Sequence, residues 1–110
     1  MTLENPPSKN QAITERDALS FAYEVEQVAE FLEQGPLLEK VVRKVLLTDF
    51  PRLNQEYPTL FPSEIYQNPD AFQIFTITLI RGKKSVSGHA KLKLYVEMTG
   101  RRVLKIFATT

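Results

Sequence analysis

Between Phe72 and Ala108 polar and apolar residues trade places at the period of a β-strand. The sharpest stretch sets Ala90, Leu92, Leu94, Val96 and Met98 against His89, Lys91, Lys93, Tyr95 and Glu97. A period of two puts the first set on one face of a strand and the second on the other. Phe72 to Arg81 is rich in Phe, Ile and Thr, which favours extended backbone. Phe75, Ile77 and Leu79 fall on one side of it, and Phe72, Ile74 and Ile80 on the other. Apolar residues on both sides predict a strand that is central in its sheet or covered twice. Val103 to Ala108 predicts a third strand. The segment Gly82–Gly88 (GKKSVSG) and the pair Thr99-Gly100 supply the turns. Connections this short predict antiparallel neighbours. A three-residue turn at Thr99–Arg101 would pair Leu94 with Ile106 and Val96 with Leu104.

Upstream the period changes. Ala18, Phe21, Ala22, Val25, Val28, Ala29 and Leu32 recur at helical spacing. Thr14 can cap this helix, with Asp17 three positions later to complete a capping box. Gly35-Pro36 ends it, so a helix is predicted over 15–34. Leu38, Val41, Val42, Val45 and Leu46 then suggest a second helix from Pro36 to near Asp49. Glu39, Lys40, Arg43 and Lys44 would form its wet face. Its valines lower helix propensity, and a buried strand is the competing reading. Pro51 disfavours helix at Phe50. Residues 50–71 carry four prolines (Pro51, Pro58, Pro62 and Pro69) among many apolar residues. They predict an ordered crossover that packs its aromatics on the core edge, with a helical turn at Ser63–Gln67.

Length adds that the 110 residues form one domain, 14–110, behind a flexible N-terminal arm, 1–13. The fold class expected is α+β: two N-terminal helices packed on a three-stranded antiparallel β-sheet. Without cysteine there is no disulfide framework, thiol nucleophile or thiolate metal site. No apolar run reaches the roughly 18 residues that span a bilayer, and the polar N-terminus has no signal-peptide core. The expectation is a cytoplasmic protein without a membrane role.

Charge changes the picture more. Residues 1–70 hold twelve acids and six bases, a balance of −6. Residues 71–110 hold one acid and eight bases, a balance of +7, which leaves the net charge of +1. Such a split fits an acidic partner, a polyanion or self-association, or simply an acidic helix lying beside a basic sheet.

Catalytic constellations are missing from the chain. His89 is the only histidine, so no histidine cluster can hold a metal. Ser87 and His89, two apart on a strand end, would point the same way and not at each other. The glycines fit neither phosphate-binding spacing. We therefore expect no catalytic residue, no metal site and no cofactor.

The constellation that survives is basic. If Leu92, Leu94 and Val96 face the helices, Lys91, Lys93 and Tyr95 face outward with Lys105 and Phe107 beside them. Arg81, Lys83 and Lys84 crown one end, and Arg101 and Arg102 the other. These ten residues are the candidate partner-binding set. The reading they support is a small binding or adaptor protein that contacts an acidic protein partner or a second copy of itself. The alternative is nucleic-acid binding, because lysines around exposed rings resemble single-strand platforms. In element order alone the chain resembles winged-helix DNA binders, with GKKSVSG as the wing, and equally the cystatin-like arrangement. No motif stands behind either, and no family is assigned.

Overall fold

The computed structural model of the protein describes residues 13–83 and 88–109. Two helices, α1 (Glu15–Tyr23) and α2 (Glu26–Leu32), precede β1 (Leu37–Lys44). A crossover then carries a 3-10 turn (Leu47–Asp49), α3 (Phe50–Glu56), α4 (Ser63–Gln67) and a second 3-10 turn (Pro69–Ala71). It leads to β2 (Ile74–Gly82), β3 (His89–Glu97) and β4 (Arg102–Thr109). The four strands form one antiparallel sheet in the order β1-β2-β3-β4. The fold is α+β, as expected, with four strands instead of three.

The extra strand is the segment predicted as a second helix. Residues 37–44 pair with β2, from Leu37 opposite Arg81 to Lys44 opposite Phe75. Without β1, the two-sided apolar strand β2 would present an open edge. With it, β2 is central, flanked by β1 and β3. Adjacent β-branched Val41 and Val42 suit a pleated surface on which both faces matter. Pro36 has no N–H to give, and its carbonyl accepts from Gly82 N at 2.9 Å. The helix on which a winged-helix order would depend is therefore absent. Helix does begin at Phe50, and Pro51 is tolerated because it lies in the first turn.

The first helix starts as expected. Thr14 N donates to Asp17 Oδ2 at 2.9 Å, and Asp17 N donates to Thr14 Oγ1 at 3.2 Å. It does not run unbroken to residue 34. Val25 leaves the helical region at φ −77°, ψ 130°, and α2 starts afresh from it. The break shifts the apolar stripe, so that Val28 is buried and Ala29 is exposed.

Ala18, Ala22 and Val28 cover one face of the sheet, built from Phe75, Ile77, Leu79, Leu92, Leu94 and Val96. Ile13 also packs against this core, so the described end of the expected arm is attached to the fold. The joint between α2 and the sheet is close. A Cβ on Gly35 would run into the carbonyl oxygen of Gly82, so only glycine fits there.

The crossover does not close the edge of this core. It builds a second core on the opposite face of the sheet. Leu53, Leu60, Phe61 and Ile65 pack on Val45, Ile74 and Tyr95, with Phe50, Tyr66, Phe72, Leu104 and Phe107 around them. The predicted helical turn is α4, with the expected bounds.

The register of β4 follows the prediction for half its length. Leu94 stands opposite Ile106, Tyr95 opposite Lys105 and Lys93 opposite Phe107. A bulge then sets Val96 opposite Val103 and turns Leu104 into the second core. Such a bulge increases local twist. The turn is correspondingly longer, Met98–Arg101, with Arg101 in the left-handed region at φ 51°.

Candidate functional site

The second face is covered only near the β3–β4 turn. Row by row across the sheet from β1 to β4, it carries Arg43, Thr76, Tyr95 and Lys105. The next row holds Val41, Thr78, Lys93 and Phe107, and the last Glu39, Ile80, Lys91 and Thr109. The crossover packs over Tyr95 in the first row and Phe107 in the second, and does not reach the last. Val41 and Ile80 are half-buried and belong to neither core cluster.

At the boundary a groove of about 370 Å³ runs between α3 and the sheet. Arg43, Thr76, Lys93 and Tyr95 form its floor, and Arg52 and Tyr57 its α3 wall. Arg52 pairs with Glu56 at 3.2 Å and reaches Asp49 at 4.0 Å, so the groove's two carboxylates already face a cation. Arg43 and Lys93 make no ion pair with the described residues. Lys93 Nζ lies 5.3 Å from the centre of the Tyr95 ring, a distance at which a cation is attracted to the ring face.

The ten candidate residues separate into groups. Lys91, Lys93, Tyr95, Lys105 and Phe107 share the second face, as the alternation predicts. Tyr95 is not exposed there: only 2% of its surface meets solvent. It stands edge-on to Phe61, centroids 6.2 Å apart, and to Phe107 at 6.1 Å. Burial pushes its hydroxyl pKa above the usual value of 10.0. The outward reading fails because the crossover, not solvent, lies over that row.

Arg81 is also inside, on the helical side. Its Nη1 donates to the carbonyls of Gly82 at 3.0 Å and Gln34 at 3.4 Å, and its guanidinium lies 4.6 Å above the Phe31 ring. It ties α2 to β2 and presents little to a partner. Lys83 is described and half-buried, and Lys84 lies outside the described residues.

The two turn arginines diverge. Arg101 reaches back to Glu24 at 3.3 Å and over Phe21, and Arg102 reaches Glu64 at 3.2 Å. Part of the charge asymmetry is thus an internal match of acidic helices to basic turns.

Sequence reasoning passed over Arg43, Thr76, Arg52 and Tyr57. A helical reading of residues 36–49 puts Arg43 on a wet helix surface, whereas the adjacent Val41-Val42 pair is the signal for a strand. It also passed over Glu97, which is only 1% exposed. Its carboxylate accepts from Thr99 N at 2.7 Å, Gly100 N at 2.9 Å and Gln73 N at 3.2 Å. That is a structural role, holding the β3–β4 turn against the entry to β2.

Among the described residues, no three His, Asp or Glu side chains stand together as a metal-holding group. No described helix is long and apolar enough to cross a membrane. Comparison with protein families, with curated proteins and with solved structures finds no match to this chain.

Proposed function

We propose that the protein is a small non-catalytic binding protein that takes an acidic segment of a protein partner on the open half of the second face. The observation that carries the reading is where the covering layer ends. It leaves Lys91, Lys93 and Lys105 on one face with no ion-pair partner among the described residues, beside the half-buried Val41 and Ile80. Carboxylates of an extended segment would meet the lysines, and its apolar side chains would lie on Val41 and Ile80. Exposed ion pairs add little affinity each, so the electrostatic signature is in association rate and salt dependence.

Nucleic acid is the competing reading. A stacking platform needs open ring faces. Tyr95 is enclosed by Phe61 and Phe107, and Tyr57 lies tilted against Phe107 at 5.2 Å. The lysines without open rings favour an acidic protein.

Titrations of a glutamate-rich peptide and of single- and double-stranded oligonucleotides, repeated at rising salt, decide between them. Peptide binding should weaken with salt and be lost in Lys91→Glu/Lys93→Glu. Unchanged peptide binding in that variant removes the site from this face. Oligonucleotides binding more tightly than peptide would replace the reading with the nucleic-acid one.

A further inference from the structure

We infer that β1 is a self-association edge, and that two copies of the chain join through it into one continuous antiparallel sheet, with a two-fold axis at Val41. The inference does not depend on the acidic ligand proposed above; the two surfaces share Val41 and otherwise use different residues.

The backbone supplies the first argument. Val45 N donates to Ile74 O at 2.8 Å, which fixes the phase of the β1–β2 ladder. Arg43, Val41 and Glu39 therefore turn their N–H and C=O groups toward β2. Lys40, Val42 and Lys44 turn theirs outward. Each edge strand carries one register shift, β4 at Leu104 and β1 at Leu38, and from Glu39 to Lys44 the pairing of β1 is unbroken. Interruptions of that kind blunt an edge, and β1 has none in this run.

Charge supplies the second, because it selects one register. Outward-facing residues must pair with outward-facing residues. An axis at Lys40 sets Lys40 against its own copy. An axis at Val42 sets Lys40 against Lys44 twice. Axes at Glu39 and Arg43 place like charges directly opposite. An axis at Val41 sets Glu39 opposite Arg43 of the second copy, and Arg43 opposite its Glu39, both on the second face of the sheet. Opposite charges directly across strands stabilise a pair, and like charges destabilise it. The lysines thus exclude the neighbouring registers and leave this one.

Exposed leucines supply the third. Leu38, Leu46 and Leu47 are 54%, 55% and 53% exposed, and Leu37 is 37% exposed. They flank β1 at its two ends. In an antiparallel pair centred on Val41, the Leu37–Leu38 end of one copy comes to the Leu46–Leu47 end of the other, twice by symmetry. Four of the molecule's exposed large apolar side chains are thereby brought to one interface.

The chain has no cysteine, so a single introduced thiol reads the register directly. Val41 would face its own copy as a non-hydrogen-bonded pair, with Cα atoms about 4.5 Å apart, inside the range a disulfide bridges. Under mild oxidation, Val41→Cys should become a covalent dimer, and Lys40→Cys, which is more exposed, should not. Random collision would cross-link the more exposed thiol at least as well, so equal cross-linking of the two overturns the register. Sedimentation of the unaltered protein should show a dimer at high micromolar concentration, and a monomer throughout overturns the inference. Glu39→Arg and Arg43→Glu should each lose the dimer, and the double exchange should restore it. A double exchange that stays monomeric while folded also overturns it. Because no lysine of the proposed ligand face is altered, loss of dimer with peptide binding intact separates the two readings.

Discussion

The helical face of the sheet is lined at its centre by branched aliphatics and Phe75, closed beneath α1 and α2, with Lys40 and Lys44 exposed at its β1 edge. The second face is lined by threonines, lysines and a tyrosine, and an irregular chain rich in aromatics covers only part of it. The two faces also differ in what holds their cover. Regular helices lay small residues, Ala18 and Ala22, directly on the sheet. The crossover relies on ring contacts, including Phe50 with Phe61 at 5.2 Å and Phe61 with Tyr66 at 5.6 Å. A face that alternates cleanly is built to be shut. A face mixing lysine with threonine and aromatics can be shut in one half and remain available in the other.

The largest effect that would break this comparison comes from cavities in the two cores. Leu94→Ala, on the helical face, should lower global stability by about 3 kcal/mol, measured by denaturant unfolding. Phe61→Ala should act locally. Amides of residues 50–71 should exchange faster while those of β2 and β3 keep their protection. If both variants speed exchange in both regions alike, the molecule has one core and the contrast is wrong.

A middle-sized effect lies at the end where the faces meet. Glu97→Gln keeps the shape but places an amide where three backbone N–H groups need an anion. It should cost about 2 kcal/mol in a melting or denaturant measurement. A cost indistinguishable from zero would mean that the turn holds without that anchor.

The smallest effects are in pH and should split by face. Asp17, at the start of α1, is held below the ordinary aspartate value of 3.8 by the backbone N–H of Thr14. A lowered folded pKa gives stability that is present above the unfolded value and lost as pH falls through the folded one. Tyr95 is raised above 10.0 by burial. A raised folded pKa gives stability that is full below pH 10.0 and lost as pH rises through the folded value. Asp17→Asn should therefore reduce the slope of stability on the acid side, and Tyr95→Phe the slope on the alkaline side. A Tyr95→Phe variant with the same alkaline slope as the parent would refute that assignment.

How legible each part was follows from which forces act locally. The alternation of β3, the Thr14–Asp17 box and the turn of α4 depend on residues within a few positions, and they stand where the sequence puts them. Residues 37–44 do not. Their apolar spacing suits a helix, the Val41-Val42 pair suits a strand, and the demand of β2 for a second partner decides between them. Helical spacing also runs through Val25, where the helix breaks with that side chain against the core of the helical face. Of the candidate site, the lysines and Phe107 were readable because period two dictates facing. The burial of Tyr95 was not, since it depends on a crossover that joins that face from more than 30 residues away in sequence. Nor was the capture of Arg81, which needed Phe31 of α2 and the Gln34 carbonyl just beyond it to be brought over β2.

The crossover has a further consequence, in the order of assembly. β2, β3 and β4 are joined by the short segments 83–88 and 98–101, but β1 reaches β2 across residues 45–73. Closing that longer loop costs roughly 1.5 kcal/mol more in chain entropy, which predicts that β1 joins a meander that is already formed. During that interval the outer edge of β2 lies bare, and it fits the β1 of any copy of the chain. Crowded refolding should then yield exchanged strands as well as correct ones. Pulse-labelled exchange would show the order, with β1 amides protected after those of β3.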